Sequence, residues 1–289
     1  MTEVSASGTK STGRAPGRAD TCAVACPDLH FIGHSTVRVE LAGRTVLTDP
    51  LLADTVGLLR RVVPLPNPAT WAGTDVVLIS HLHGDHLHLP SLRSLGRDVH
   101  VVVPRGAAAW LRGHGFRRVD ELSAGESITD GPLTITAVRA EHSGHRWGPR
   151  LTHGPATESL GYLVEGGGST VYASGDTGLF DGMAVLAKHA VDVALLPVWG
   201  WGPNLGPGHL DPVTAAEAVA LVRPQVVVPV HWGTLAPAGL ASLPNPLRAR
   251  MRRLLVDPPH SFAAEVAARG LDTRVAVTRP GDAVDLAVA

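Results

Sequence analysis

The segment His81-Leu82-His83-Gly84-Asp85-His86 packs three imidazoles and a carboxylate into six residues, directly behind the apolar run Val76-Val77-Leu78-Ile79-Ser80. A strand ending this way cannot bury its turn as apolar surface, because polar groups left unpartnered away from water carry a heavy desolvation cost. A turn after a strand splays alternate side chains to different sides. His81 and His83 are therefore expected to serve one metal ion, and Asp85 and His86 an adjacent one. Neutral imidazole and carboxylate at this spacing suit zinc, with iron or manganese as alternatives. The bland alternative is a solvated histidine-rich turn.

Three further residues share the setting. His142 follows residues 134–140, Asp176 follows Val171-Tyr172-Ala173-Ser174-Gly175, and His231 follows 226–230. Each lies just past the carboxyl end of an apolar strand, where open sheets present their sites. One histidine so placed is ordinarily structural. Four placements supplying five histidines and two aspartates read as a ligand set.

The rest of the chain supplies the frame. Residues 1–27 are rich in Ser, Thr, Gly and Ala and are read as a flexible tail, leaving 28–289 as one domain. Strands are expected at 31–32, 36–41, 44–48, 75–80 and 99–103 in the first half. In the second half they are expected at 133–139, 161–165, 170–174, 191–197, 226–230 and 273–278. Helices are expected at 90–95, 106–113, 180–189, 245–256 and 260–269, and from Asp211-Pro212 to about 222, where Asp caps and Pro opens the first turn. Residues 51–71 read as a long loop, and their apolar stretch 51–59 suits an acyl chain or a covered surface. Strands gather in meanders with helices between the more buried runs. The expected fold is α+β, with two sheets face to face and helices outside each: an α/β/β/α four-layer sandwich.

Composition excludes several classes. With Lys+Arg at 25 and Asp+Glu at 26, the net charge of -1 offers no general attraction to nucleic acid or anionic membranes. No apolar run approaches the ~20 residues of a membrane helix, and the N-terminus has no signal-peptide core. The two cysteines, Cys22 and Cys26, lie in the tail, so the domain suits a reducing cytoplasm; as a C-x-x-x-C pair they are weak evidence for a separate zinc site.

His-x-His-x-Asp-His, a later His, Ser-Gly-Asp-Thr-Gly and His-Trp-Gly-Thr together resemble the signature of the metallo-β-lactamase-fold hydrolases, over about residues 29–235. A closer likeness joins the chain to the branch of ascorbate-6-phosphate lactonases and N-acyl-phosphatidylethanolamine-hydrolysing phospholipase D. Its residues are Gly33-His34-Ser35-Thr36, Leu47-Thr48-Asp49-Pro50, Gly175-Asp176-Thr177-Gly178, His209-Leu210-Asp211-Pro212 and His231-Trp232-Gly233-Thr234. The resemblance implies one metal on His81, His83 and His142, a second on Asp85, His86 and His231, and Asp176 bridging both. It implies that His83, where oxygen-reducing relatives carry a carboxylate, favours hydrolysis over redox chemistry. Two divalent cations would generate a bridging hydroxide and polarise the scissile group.

Around this set, Asp85 is expected to orient the nucleophile as well as bind metal. Asp49 either orients a liganding imidazole or is a strand-end turn residue. His209 resembles a histidine near the active site of the phospholipase D branch, and would bind substrate or protonate the leaving group; a loop histidine at the mouth is the plain alternative. His145, Arg146 and Arg150 are candidate receivers of a phosphate or carboxylate. Trp201, with Trp199, reads as a pocket wall. His34 is left without a ligand slot and is read as structural or supporting.

The reading is a binuclear metal-dependent hydrolase of a small-molecule or lipid-like substrate, acting on a phosphodiester, with a lactone or amide as the alternative. A nucleic-acid-processing module would carry an inserted domain and excess positive charge. A non-catalytic metal protein would have lost ligands, whereas every slot here is filled.

Overall fold

The computed structural model describes residues 27–146, 154–200, 205–239 and 245–287. Cys22, Cys26, Arg150, Trp201 and nearly all of the expected tail lie outside the described residues. Strands β1 (Asp28–Gly33), β2 (Thr36–Leu41) and β3 (Arg44–Thr48) form an antiparallel meander. Ala42 and Gly43 take φ of 50° and 74°, the left-handed pair that a two-residue hairpin turn requires. A small hairpin, β4 (Thr55–Val56) and β5 (Leu59–Arg61), comes next. It is followed by β6 (Val76–Leu78), α1 (Leu89–Ser94), β7 (His100–Pro104), α2 (Ala108–Gly113) and β8 (Val119–Leu122). From β3 onward the pairing is parallel, giving a six-stranded sheet ordered β1-β2-β3-β6-β7-β8.

The second half repeats this plan. Strands β9 (Ser127–Asp130), β10 (Leu133–Arg139), β11 (Leu160–Gly166) and β12 (Ser169–Ala173) run antiparallel. Then β13 (Val193–Pro197), α3 (Pro212–Val222), β14 (Val226–Val230), β15 (Leu235–Pro237), α4 (Asn245–Val256), α5 (Pro258–Ala268) and β16 (Arg274–Val275) complete the chain. The sheet is seven-stranded, ordered β16-β14-β13-β12-β11-β10-β9, with β12, β13, β14 and β16 parallel.

Side-chain alternation decides the layering. Successive residues of a strand point to opposite faces. Val76, Leu78 and Val102 accordingly join the core between the sheets, while Val77, Val101 and Val103 pack with Leu92 of α1 and Leu111 of α2 on the outer face. A parallel strand covered on both sides must be apolar through its middle, as Val76–Leu78 and Val101–Val103 are. Each buried valine or leucine contributes roughly 1.5–3 kcal/mol. Helix α3 covers the second sheet through Ala215, Ala218 and Val219; Asp211 caps it by accepting from Val213 N and Thr214 N, with Pro212 in the first turn. The α+β four-layer sandwich is thereby established.

The structure differs from the sequence-based expectation in four places. The loop expected at 51–71 contains the β4–β5 hairpin, because β5 is stabilised by β15, in the register Leu235↔Arg61 and Pro237↔Leu59. β8 and β9 went unpredicted because they are sheet edges, half exposed and carrying Asp120 and Asp130 in place of apolar runs. Residues 181–189 form 3₁₀ turns. The last strand stops at Val275 because the chain turns off to β1, where Gly281 N donates to Phe31 O.

At the end of the sandwich where β7 and β8 begin, a polar clamp joins the sheets. Arg44 pairs with Asp75 at 2.8 Å and with Asp130. His100 bridges Asp130 through Nδ1 at 2.5 Å and Asp120 through Nε2 at 2.8 Å. Burial pushes the Asp130 carboxyl up, but the hydrogen bonds of His100 and Arg44 hold it below its ordinary value. A depressed carboxyl contributes stability that is complete above its unfolded pKa and is lost as pH falls through the folded one. Asp130→Ala is expected to cost about 3 kcal/mol at neutral pH. The gap from wild type should narrow below about pH 4, read as the shift in urea midpoint.

Candidate functional site

The opposite end of the sandwich collects the carboxyl ends of β3, β6, β12 and β14, and the local hydrogen bonds there fix the proton on each ring. Asp49, just past β3, accepts from Ser80 N (2.7 Å), Ser80 Oγ (2.7 Å) and His86 Nδ1 (2.9 Å). Having given its proton to Asp49, the Ser80 hydroxyl accepts from His81 Nδ1 at 2.9 Å. His142 Nδ1 donates to Gly208 O and His231 Nδ1 to Trp199 O, both at 2.7 Å. A carbonyl or carboxylate oxygen only accepts, so in these four histidines Nδ1 carries the hydrogen and a neutral ring presents Nε2 as a lone pair.

Those lone pairs converge. His81 Nε2 and His142 Nε2 lie 2.9 and 3.2 Å from His83 Nδ1, one group of three imidazoles. Asp85, His86 and His231 form a second group, which His34 joins, with donor atoms within 4.8 Å of one another. Asp176 lies between the groups, with Oδ2 at 3.4 Å from His86 Nε2, 3.3 Å from His231 Nε2 and 3.8 Å from His209 Nε2. Backbone turns in the 83–87 segment, with His86 N and Leu87 N donating to His83 O, aim the members of the motif at different groups.

Electrostatics shows what such a pocket asks for. Burial lowers His83 to about 4, helped by His142 and His86, and keeps His81 well below its ordinary value. Burial would likewise depress His86 and His231, yet Asp176 holds both above the ordinary value, with Asp49 adding to His86. His83 Nε2, His86 Nε2, His231 Nε2 and Asp176 Oδ1 are buried without a hydrogen-bond partner among the described residues. With both rings neutral, two lone pairs would face one buried carboxylate; the raised His86 and His231 show that the pocket draws positive charge to this point, and the residues fit a metal cation.

The motif glycines follow from space. At Gly175, φ is +60° and a Cβ would meet Ser80 Cβ at 2.3 Å. At Gly208, φ is +77° and a Cβ would meet Glu141 O at 2.9 Å and His142 Nδ1 at 3.2 Å. Thr177 Oγ1 accepts from Glu141 N at 2.9 Å and so steadies His142.

The residues expected around the ligands take varied positions. His209 packs edge-on against His142, 4.6 Å between centroids, with Nδ1 buried and without a hydrogen-bond partner among the described residues. His145 is exposed, bonded to Ser143 Oγ at 2.6 Å and 5.8 Å from the His83 ring. Arg146 donates Nη1 to Leu82 O (3.2 Å) and Leu87 O (2.5 Å) and lies over Trp110, so it clasps the histidine-rich turn after β6 from behind. His34, read from sequence as structural or supporting, stands within the second group, 3.0 Å from Asp85 Oδ2. Its signal was the one used for the others, a histidine directly after an apolar strand.

A buried histidine–aspartate cluster at the strand ends of an α/β/β/α sandwich defines a metal-dependent hydrolase. Residues 44–232 match the Beta-lactamase superfamily domain. A UPF0173 metal-dependent hydrolase of Methanopyrus kandleri is 31% identical over 266 residues, covering 88% of this chain and 98% of the relative. Another, from Opitutus terrae, is 30% identical over 262 residues, covering 89% and 99%. A solved metallo hydrolase from the archaeon Ignicoccus hospitalis is similar with a TM-score of 0.66 and 26% identity, over 89% of this chain and 97% of that one. The chain belongs to the β-lactamase superfamily and, within it, to the UPF0173 metal-dependent hydrolases.

Asp49 tests the anchoring without touching a lone pair of the two groups. Asp49→Ala is expected to weaken zinc binding about 10–100-fold. Competition with a chromophoric chelator measures it.

Proposed function

We propose that the protein hydrolyses a phosphodiester carrying an apolar group at a binuclear zinc centre, with manganese or iron as alternative metals. This follows the phospholipase D branch that its motifs resemble. The observation that carries the reading is Asp176 standing between two donor groups, since one carboxylate within reach of both is how two cations are held together. Bound there, a pair of divalent cations supplies a water of lowered pKa and stabilises the charge that develops on the scissile group.

The chain's residues do the rest. Asp85 orients the attacking water. His209, at the edge of the His142 ring, binds the substrate or, taking the proton that the attacking water loses, passes it to the leaving oxygen. An apolar group finds the β4–β5 hairpin, where Leu58 at the tip is 88% exposed. That hairpin stands beside the metal-binding turn: a Cβ at Gly84 would lie 3.9 Å from Val56 Cγ2. The substrate is a small or lipid-like molecule, not a nucleic acid, given the net charge of -1. No helix among the described residues is long and apolar enough to cross a membrane. A domain at 28–289 without cysteine, Cys22 and Cys26 lying before it, suits the cytoplasm.

Arg146 favours a second reading. Its Nη1 is committed to the carbonyls of Leu82 and Leu87, and a lactone or amide needs less cationic support than a phosphodiester.

Initial rates on bis(p-nitrophenyl) phosphate and on a chromogenic lactone, with zinc-reconstituted protein, separate the two. Phosphodiester turnover falling at least about a hundredfold in Asp176→Ala is the expected result. Lactone turnover alone would overturn it in favour of the second reading. Leu58→Ser is expected to raise KM about tenfold for a long-chain phosphodiester and to leave a short-chain one unchanged, which paired kinetics would read.

A further inference from the structure

His34 enters the second donor group with the opposite polarity from its neighbours. It follows β1 in the turn to β2, is 2% exposed, and takes φ of 57°. Its backbone is fixed from the other sheet: His34 N donates to Thr234 Oγ1 at 2.7 Å, and His34 O accepts from His231 N at 2.8 Å. Its ring lies 3.9 Å from the His231 ring and 5.3 Å from that of His86. Its Nε2 lies 3.0 Å from Asp85 Oδ2.

A carboxylate has no proton to give, so the imidazole must supply the one in this bond. The hydrogen therefore sits on His34 Nε2, which spends that nitrogen as a donor. His81, His86, His142 and His231 do the reverse, donating through Nδ1 and turning Nε2 inward as a lone pair. Proximity alone would count His34 as a ligand through Nε2, but the proton there takes that nitrogen out of the donor set and leaves a lone pair only on Nδ1. The Asp85 carboxylate follows Gly84 in a turn and is 19% exposed, and among the described residues His34 is the side chain hydrogen-bonded to it.

We propose that His34 is a positioning residue, whose Nε2–H ties down one oxygen of Asp85 and leaves the other oxygen to the metal centre and the reacting water. The inference rests on the metal-centre reading of His81, His83, Asp85, His86, His142, Asp176 and His231. It assigns His34 no metal.

Long-range ¹H–¹⁵N correlation spectra of wild type, zinc-free and zinc-loaded, test it directly. The expected result is His34 as the Nε2–H tautomer in both forms, with no metal-induced shift at either ring nitrogen. A metal-shifted nitrogen, or an Nδ1–H tautomer, would overturn it. Two variants add the functional readout, since a glutamine amide places an N–H near the position of Nε2. His34→Ala is expected to keep the wild-type zinc content, alter the visible spectrum of the cobalt-substituted protein and lower kcat about 10–100-fold with KM within about twofold. His34→Gln should restore most of both. Loss of a zinc equivalent in both variants would make His34 a ligand. An unchanged spectrum and kcat in His34→Ala, or no rescue by His34→Gln, would reduce it to packing. If His34→Ala fails to fold, the wild-type tautomer decides alone. Wild type that binds no zinc would instead sink the metal-centre reading, while the tautomer in the zinc-free protein still answers for His34.

Discussion

A buried carboxylate ringed by imidazoles demands positive charge beside it, and the structure around Asp176 is organised to hold those imidazoles in place. Four histidines are anchored by the nitrogen that does not face inward, to Asp49, Ser80 and the carbonyls of Gly208 and Trp199. Removing an anchor would free the ring to rotate and to move its proton to the inward nitrogen. The donor set therefore depends on groups that never touch what it binds. Backbone strain accumulates in the same place. Among the described residues, three of the six non-glycine positions with positive φ are His34, Asp49 and His231, each costing of order 1–3 kcal/mol. Asp49 is held in that conformation partly by Thr36 Oγ1, which donates to its carbonyl at 2.8 Å.

Topology explains why the chain can build such a pocket. Each half begins with an antiparallel meander and continues with parallel strands, so strand ends from both sheets emerge on one side. The loops after β3, β6, β10, β12 and β14 then contribute one or a few residues each. Close approach between them is bought with glycine, as at Gly175 against Ser80 and Gly208 against His142.

Much of this was readable in the sequence, and the exceptions have a common cause. The fully buried strands announce themselves as unbroken apolar runs, as in Val226–Val230, and the Asp211-Pro212 cap marks the start of α3 to the residue. Candidate ligands stood out because polar residues directly behind such runs have no packing reason to be there. What was missed depends on partners distant in sequence. The β4–β5 hairpin needs β15, the edge strands β8 and β9 carry the clamp to His100 and Arg44, and His34 is defined by Asp85 and His231. Arg146 reads as an anion receiver because it lies soon after His142. Its role became visible only where the carbonyls of Leu82 and Leu87 turned toward it.

The lacing of the β1–β2 turn to the segment after β14 also has a bearing on how the molecule is made. His34 and Thr234 are 200 residues apart, and their bond closes most of the domain, up to β15, into a loop. Non-local closures of this kind form late, because chain entropy must be lost before they return anything. On the ribosome, His81, His83, Asp85, His86 and His142 emerge well before His231, so a nascent chain exposes most of the donor set before its last member is synthesised. The pocket is then completed only when the segment after β14 docks against the β1–β2 turn.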